Sequence, residues 1–247
     1  MPAAQGTVVV TGGSRGIGAA VVQALAARGV PTCFSYATRR EAAEFVVEQA
    51  ADLGTPVKAV RADVSSEADV RHLFAEAEQL GPVTGLVNNA GVNAPAARVV
   101  DIDAARVRRL LEVNVVGAFV CAREAVTRMA RNGGGTVVNV SSRAAVLGSA
   151  GEYVDYAASK AAVDALTVGL AREVAEQGIR VVGVRPGLIR TGIHASAGDP
   201  GRVERLQRSV PMGRGGEASE VAEAVVWLLS DAASYVTGTT LDVSGGR

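Results

Sequence analysis

Cysteine is scarce in this chain, and its two cysteines, Cys33 and Cys121, show neither a C-x-x-C nor a metal-ligand spacing. Both sit among apolar neighbours, so the expectation is a pair of buried thiols in a reducing compartment, with no redox pair and no metal site. Net charge is missing too. Lys plus Arg (25) balance Asp plus Glu (25), and there is no dense basic run. Such a chain has no general attraction for nucleic acid or for an anionic membrane surface. Long hydrophobic runs are also absent: the run Val113–Ala122 is interrupted by Asn114 and falls short of the roughly 20 residues that span a bilayer. At the N-terminus no basic segment precedes an apolar one, so a secretory leader is not expected. The expectation is a soluble, cytoplasmic protein.

What the chain does hold is enough apolar material for a full core. Of its 247 residues 48% are hydrophobic, a length and composition that fit one α/β domain over residues 1–247. Short β-branched runs alternate with longer stretches of helical period, the pattern of βαβ units around a parallel sheet. Strands are expected near Thr7–Val10, Thr32–Tyr36, Val57–Arg61, Gly85–Asn88, Thr136–Ser141, Arg180–Val184 and Thr240–Val243. Helices are expected near Gly16–Arg28, Arg39–Leu53, Ser66–Leu80, Ala104–Arg131, Glu152–Gln177 and Glu217–Ser230. In the third helix Ser66 and Asp69 resemble a capping box, Val70, Leu73, Phe74 and Ala77 share one face, and Gly81-Pro82 stops the run. No repeat or linker divides the chain. The glycine-rich stretch Leu188–Gly216 is the one long segment without clear period, and loops of that length are usually functional, which predicts a lid over a substrate.

Helix Glu152–Gln177 is apolar or small from Ala157 to Ala171 except at Lys160 and Asp164. A helix apolar all round must be covered on both sides. The sheet covers one side, and a second copy of the chain is the expected cover for the other, the alternative being the chain's own neighbouring elements.

Two constellations carry chemistry. The first is TGGSRGIG at Thr11–Gly18, which places Gly12, Gly16 and Gly18 between a strand and a helix. The spacing is G-x-x-x-G-x-G rather than the G-x-G-x-x-G dinucleotide fingerprint, yet strand, glycine turn and helix N-terminus stand in the order a phosphate site needs. The second is Tyr156 and Lys160, four residues apart and therefore on one helix face. An ammonium beside a phenol favours the phenolate and brings its pKa toward the working pH, which suits proton exchange with a carbinol oxygen. Ser141-Ser142 closes the strand TVVNV at the carboxyl edge where open parallel sheets bind ligands.

Taken together, TGGSRGIG, ADV at Ala62–Val64, NNAG at Asn88–Gly91, Asn114 in EVNVVG, Ser141-Ser142, YAASK at Tyr156–Lys160 and RPGLIRT at Arg185–Thr191 resemble the short-chain dehydrogenase/reductase family in its single-domain form. The resemblance covers essentially the whole chain. It implies a Rossmann-type doubly wound parallel sheet of seven strands in the order 3-2-1-4-5-6-7. It also implies a catalytic set of Asn114, Ser142, Tyr156 and Lys160: Tyr156 as general acid/base, Lys160 holding the nicotinamide ribose and lowering the tyrosine pKa, Ser142 orienting the substrate oxygen, and Asn114 holding a water in a proton relay. The implied cofactor contacts are Gly12, Ser14, Arg15, Gly16, Ile17 and Gly18 in the glycine loop and Tyr36 and Arg39 after the second strand. Asp63 and Val64 would lie at the adenine, Asn89, Ala90 and Gly91 along the ribose, Tyr156 and Lys160 at the nicotinamide ribose, and Pro186, Gly187, Ile189 and Thr191 at the carboxamide. A homotetramer is implied as well.

Two departures refine this picture. One extra residue separates Ser142 from Tyr156, so the segment between them must bulge, and Ser142 is favoured over Ser141 as the acting serine. The second strand ends in SYATRR, with no acid before Glu41, where an NAD-preferring member would present a carboxylate. Arg39 or Arg40, with Arg15, could pair with a 2′-phosphate, and the cofactor is expected to be NADP(H) in preference to NAD(H). The expected reaction is hydride transfer between nicotinamide and a small or medium carbonyl or secondary alcohol, with a 3-oxoacyl-thioester reductase favoured over a sugar or polyol dehydrogenase. A non-catalytic dinucleotide-binding scaffold is the reading from a different class. Arg128, Arg131 and Arg172 lie where acyl-carrier-protein reductases offer basic contacts, and His72 and His194 are expected to be solvated.

Overall fold

The computed structural model describes residues 6–247, so the N-terminal segment read above lies outside the described residues. In chain order the elements are β1 (Thr7–Val10), α1 (Gly16–Ala26), β2 (Thr32–Tyr36), α2 (Arg40–Ala51), β3 (Val57–Arg61), α3 (Glu67–Glu78) and β4 (Val83–Asn88). Then come α4 (Ala104–Leu111), α5 (Gly117–Arg131), β5 (Gly135–Val140), α6 (Ala144–Leu147), α7 (Val154–Val174) and β6 (Ile179–Pro186). The chain ends with β7 (Ile189–Arg190), α8 (Ile193–Ser196), α9 (Arg202–Leu206), β8 (Gly216–Glu217), α10 (Ala218–Leu229) and β9 (Thr240–Val243). Seven strands form one sheet in the order β3-β2-β1-β4-β5-β6-β9, every pair parallel. This is the order 3-2-1-4-5-6-7 implied by the motifs, with β9 as the seventh strand, and the architecture is a Rossmann-type α/β fold.

Strand alternation builds the two layers. Val8 and Val10 face α1, α2 and α10, packing with Val21, Val22, Leu25, Val46 and Val225, whereas Val9 faces the other way among Leu73, Phe74, Cys121 and Met129 of α3 and α5. Each fully buried Val or Leu contributes roughly 1.5–3 kcal/mol, so a polar residue at Val9 would break the second layer. Cys33 and Cys121 are both fully buried, and burial pushes each thiol up to about 12. Among the described residues no helix is long and apolar enough to cross a membrane, and no group of three or more His, Cys, Asp or Glu could hold a metal ion.

Three local features differ from the sequence expectations. The long helix expected over Ala104–Arg131 is broken by a π-helical turn at Glu112–Val116. There the Asn114 side chain is drawn out of helical register to bind the backbone of Val92 on both sides, and wider turns of this kind are frequent at functional sites. Just beyond it, Gly117 lies against Val64 so closely that a Cβ would come within 2.7 Å of its Cγ2. The segment Leu188–Gly216 is not structureless: β7 pairs with β8, α8 and α9 lie between them, and Leu188, Val203 and Val210 make a small core of their own. Finally, the segment between Ser142 and Tyr156 turns sharply after α6, where Gly148, Ser149 and Gly151 all have positive φ. Ser149, at φ 48°, is the only non-glycine in that region among the described residues.

Candidate active site

Because all seven strands run the same way, their carboxyl ends share one edge. The strand order reverses between β1 and β4, and ligands of open α/β sheets bind in the crevice at such a point. A cavity of about 440 Å³ opens there. At its β1 end the glycine loop turns into α1, with Gly16 at φ 56°. Gly18 is buried against the loop, where a Cβ would stand 2.3 Å from the Gly12 carbonyl oxygen. The α1 N-terminus has no side-chain cap and no acidic residue in its first turn, leaving its N–H groups and dipole for an anion. Asn89 locks the next strand end onto this loop: its Nδ2 donates to the carbonyls of Thr11 and Gly12 at 2.9 and 3.0 Å, while the Ala90 N–H donates to Thr11 Oγ1 at 2.9 Å.

Asp63 lines the cavity at the end of β3. Its carboxylate accepts from the Ser65 hydroxyl and N–H at 2.7 and 3.0 Å, and these bonds, with Arg109 nearby, hold it below its ordinary range. Arg15 and Arg39 both line the cavity, and Arg15 is lowered by burial and by repulsion from Arg39. Arg40 is instead paired with Glu44 at 2.7 Å and turned away from the cavity, which removes it as an alternative to Arg39.

At the far end β5 and α7 bring the proton-handling groups together. Ser141 is buried and donates its hydroxyl to the Lys160 carbonyl at 3.1 Å. Ser142 accepts from the Ala144 N–H at 3.1 Å, lines the cavity, and stands near enough to Tyr156 to oppose the rise in its phenol pKa. The geometry thus distinguishes the two serines, and Ser142 is the one that meets the tyrosine. Lys160 is 4% exposed and donates from Nζ to the Val140 carbonyl at 2.8 Å. Its ammonium lies 5.9 Å from the Tyr156 ring centroid. Burial pushes the Tyr156 phenol up to about 12, with Ser142 opposing, and pulls the Lys160 ammonium down to about 8, with Asp164 opposing. The sequence expectation was a tyrosine pKa lowered by Lys160. Desolvation of the buried phenol dominates instead.

All the residues expected at the cofactor line this cavity except Gly18, which sits behind the loop as a packing contact. Asn114 does not line it either. Its Oδ1 accepts from the Val92 N–H at 2.8 Å, and its Nδ2 donates to the Val92 carbonyl and to Ser159 Oγ, each at 3.0 Å. These bonds tie the 91–93 loop to α7. Gly91 fills the remaining gap: a Cβ there would lie 3.3 Å from Asn114 Oδ1 and 3.4 Å from Lys160 Nζ.

The sequence reading missed part of the wall. Leu147, Ser149, Tyr153, Arg202 and Arg247 all line the cavity, as does His194. His194 is half-buried with Nε2 3.0 Å from the Ile189 carbonyl, and burial lowers its pKa, so it is not a solvated loop histidine. His72 is exposed as expected. Nothing in the aperiodic stretch 188–216 marked Arg202 or His194 as inward-facing. Arg128, one of the three basic positions noted on the surface, is paired with Glu78 and Glu124 and lies over the Phe74 ring, whereas Arg131 and Arg172 are exposed.

The comparisons with known proteins agree with this geometry. A family model described as enoyl-(acyl carrier protein) reductase matches residues 12–247. An uncharacterised oxidoreductase, YgfF of Escherichia coli strain K12, is 52% identical over 243 residues, covering 97% of this chain and 98% of its own. The solved 3-ketoacyl-(acyl-carrier-protein) reductase of Brucella melitensis, complexed with NADH, superposes with a TM-score of 0.91 at 30% identity over 98% of each chain. A blue fluorescent protein from a metagenomic library, complexed with NADPH, gives 0.88 at 34% identity over 98% of this chain and 97% of its own. With matches spanning nearly its full length and the tyrosine, lysine and serine gathered at one strand edge, the chain belongs to the short-chain dehydrogenase/reductase family of NAD(P)-dependent oxidoreductases.

Proposed function

We propose that this protein is an NADP(H)-dependent carbonyl reductase or secondary-alcohol dehydrogenase, with residues 1–247 acting as one domain and residues 188–216 as the lid. The single observation that carries the reading is the convergence of Ser142, Tyr156 and Lys160 at the carboxyl end of β5, on the cavity that begins at the glycine loop. The residues present fit a dinucleotide. The uncapped α1 N-terminus suits a pyrophosphate, and the close packing of Gly12 against Ala90, where a Cβ would lie 3.1 Å from the Ala90 Cα, lets backbone approach it. Arg15 and Arg39, like charges held side by side, suit the dianionic 2′-phosphate. When bound, the nicotinamide supplies or accepts the hydride at the substrate carbon.

The chain's own residues handle the proton. In reduction the carbonyl π pair moves onto oxygen as the carbon gains hydride, and the Tyr156 hydroxyl gives that oxygen its proton; oxidation reverses the transfer. Ser142 donates to the same oxygen and fixes its position. Lys160 engages one N–H with Val140, leaving two donors for ribose hydroxyls. A relay from this site would run through the backbone of the π-helical turn, since the Asn114 side chain is engaged elsewhere.

The 3-oxoacyl-thioester reading draws its support from relatives named for that activity, and the engaged state of Arg128 takes one basic contact from an acyl-carrier surface. The outer face of α7 exposes Ala158, Ala161, Ala165, Val168 and Gly169 beside Val116 and Phe119, a patch that a second copy would cover in a homotetramer. A panel of ketones, aldehydes and 3-oxoacyl thioesters, followed at the nicotinamide absorbance band with NADPH and NADH in turn, tests the reading. Turnover with NADPH at higher kcat/KM than with NADH is expected. Tight NADPH binding with no carbonyl reduced would favour the scaffold instead.

A further inference from the structure

We infer that Arg202 makes this a reductase of oxo acids: its guanidinium holds a carboxylate on the substrate in the cavity that Tyr156 also lines. The inference rests on the carbonyl-reductase reading and adds the substrate's second functional group. Arg202 belongs to α9, is 8% exposed, and lines the same cavity as Ser142 and Tyr156. Its guanidinium lies 4.9 Å from the Tyr153 ring centroid. Tyr153 immediately precedes α7, three residues before Tyr156.

Arg202 is not saturated by the protein. Nη2 donates to Glu152 Oε2 at 2.5 Å, but the buried Nη1 has no hydrogen-bond partner among the described residues. Nη1 also faces Asp199 Oδ2 at 3.6 Å, beyond hydrogen-bond reach, and that oxygen is already engaged by Arg205. A buried charged donor without an acceptor is costly, and the acceptor that best repairs it is itself charged. The cavity supplies none. Its lining includes Arg143, Arg202 and Arg247 at the substrate end, while its sole acid, Asp63, lies at the other end and is bonded to Ser65. Arg143 is neutralised by Asp242 at 2.6 Å, whereas Arg202 keeps a buried N–H without an acceptor. A substrate carboxylate completes this site. The rim beside it, Leu147 and Tyr153, suits a short carbon chain between the acid and the carbonyl.

Matched probes test this directly. Acetoacetate and 4-oxopentanoate share their carbonyl with their methyl esters and, for acetoacetate, with its N-acetylcysteamine thioester. The protein with NADPH is expected to show kcat/KM for each acid at least about tenfold above its ester or thioester, the effect of one charge-assisted hydrogen bond. In Arg202→Met this acid-to-ester ratio collapses toward one. In Glu152→Gln, which breaks the same ion pair but keeps the guanidinium, the ratio is retained. Equal or faster turnover of the neutral probes overturns the inference, as does an equal change of the ratio in both variants, which would make Arg202 a clasp for α9 only. A binding readout separates this failure from failure of the reductase reading. Succinate should raise the melting temperature of the NADPH-bound protein where succinamide does not. That shift without turnover of any carbonyl would keep the anion site and remove the reductase reading. Turnover of ketones without the shift would do the reverse.

Discussion

The glycine-loop end of the cavity and the end beneath residues 188–216 are walled by different kinds of structure. The first is made of strand ends and a helix N-terminus belonging to the main sheet, backed on each face by a layer of 21 buried residues. The second rests on a small core of Leu188, Val203 and Val210, on the buried Ile189 and Ala197, and on ion pairs such as Arg190 with Glu204 and Arg214 with Glu220. Those pairs are solvent-exposed, so each adds little. Regions with few buried apolar contacts open locally at low free energy. A fixed half can hold an invariant ligand, while a loosely held half can admit and release a variable one.

The sharpest test of the fixed half is Tyr156→Phe. Removing the proton carrier should lower kcat by about 10²–10⁴-fold while the dissociation constant for NADPH changes little. Turnover near the parent rate would place the proton chemistry elsewhere. Next in size is Arg39→Asp, which puts a carboxylate at the end of β2. Losing one charge-assisted contact and gaining repulsion should shift the NADPH-to-NADH ratio of kcat/KM by about 10–100-fold toward NADH. An unchanged ratio would leave Arg39 as a solvated residue at the start of α2.

A smaller effect follows from the two titrating groups. Below pH 8 both are protonated. As pH rises through about 8 Lys160 loses its charge, while Tyr156 keeps its proton to about 12. Reduction should therefore decline above pH 8 through loss of the lysine charge, not the tyrosine proton. Asp164 opposes the lysine shift, so Asp164→Asn should move this limb to lower pH in a kcat/KM profile. A profile flat to pH 10 would sink the assignment. The smallest effect is expected at Val203→Ala, in the loose half. The cavity left costs about 1–2 kcal/mol, and it should appear as a few-fold higher KM for substrate with NADPH affinity unchanged. A parallel loss of NADPH affinity would mean that the two halves are not independent.

Legibility in the sequence follows the same division. Thr7–Val10, Thr32–Tyr36, Val57–Arg61 and Thr240–Val243 are strands over the residues expected, because β-branched runs bounded by Gly, Pro or polar residues have one good use in a parallel sheet. The glycine loop and Tyr156–Lys160 were equally readable, since local geometry alone requires a turn there and a shared helix face. The π-helical turn was not. Its cause is a side chain reaching Val92, which lies 22 residues earlier. The inward turn of His194 and Arg202 was also hidden, because their neighbours follow no period and their partners, Glu152 and Tyr153, come from the approach to α7.

By itself, then, the order of residues determined a parallel α/β sheet and which groups could exchange a proton, because hydrophobic period and glycine placement act over a few residues; the strand order was implied by the motifs' resemblance to a family. Only the tertiary structure decided which of the two adjacent serines meets the phenol, which way the tyrosine and lysine pKa values move, and that an arginine with a spare N–H closes the substrate end. Those outcomes depend on desolvation and on partners brought together from distant parts of the chain, and neither is a property of any local stretch.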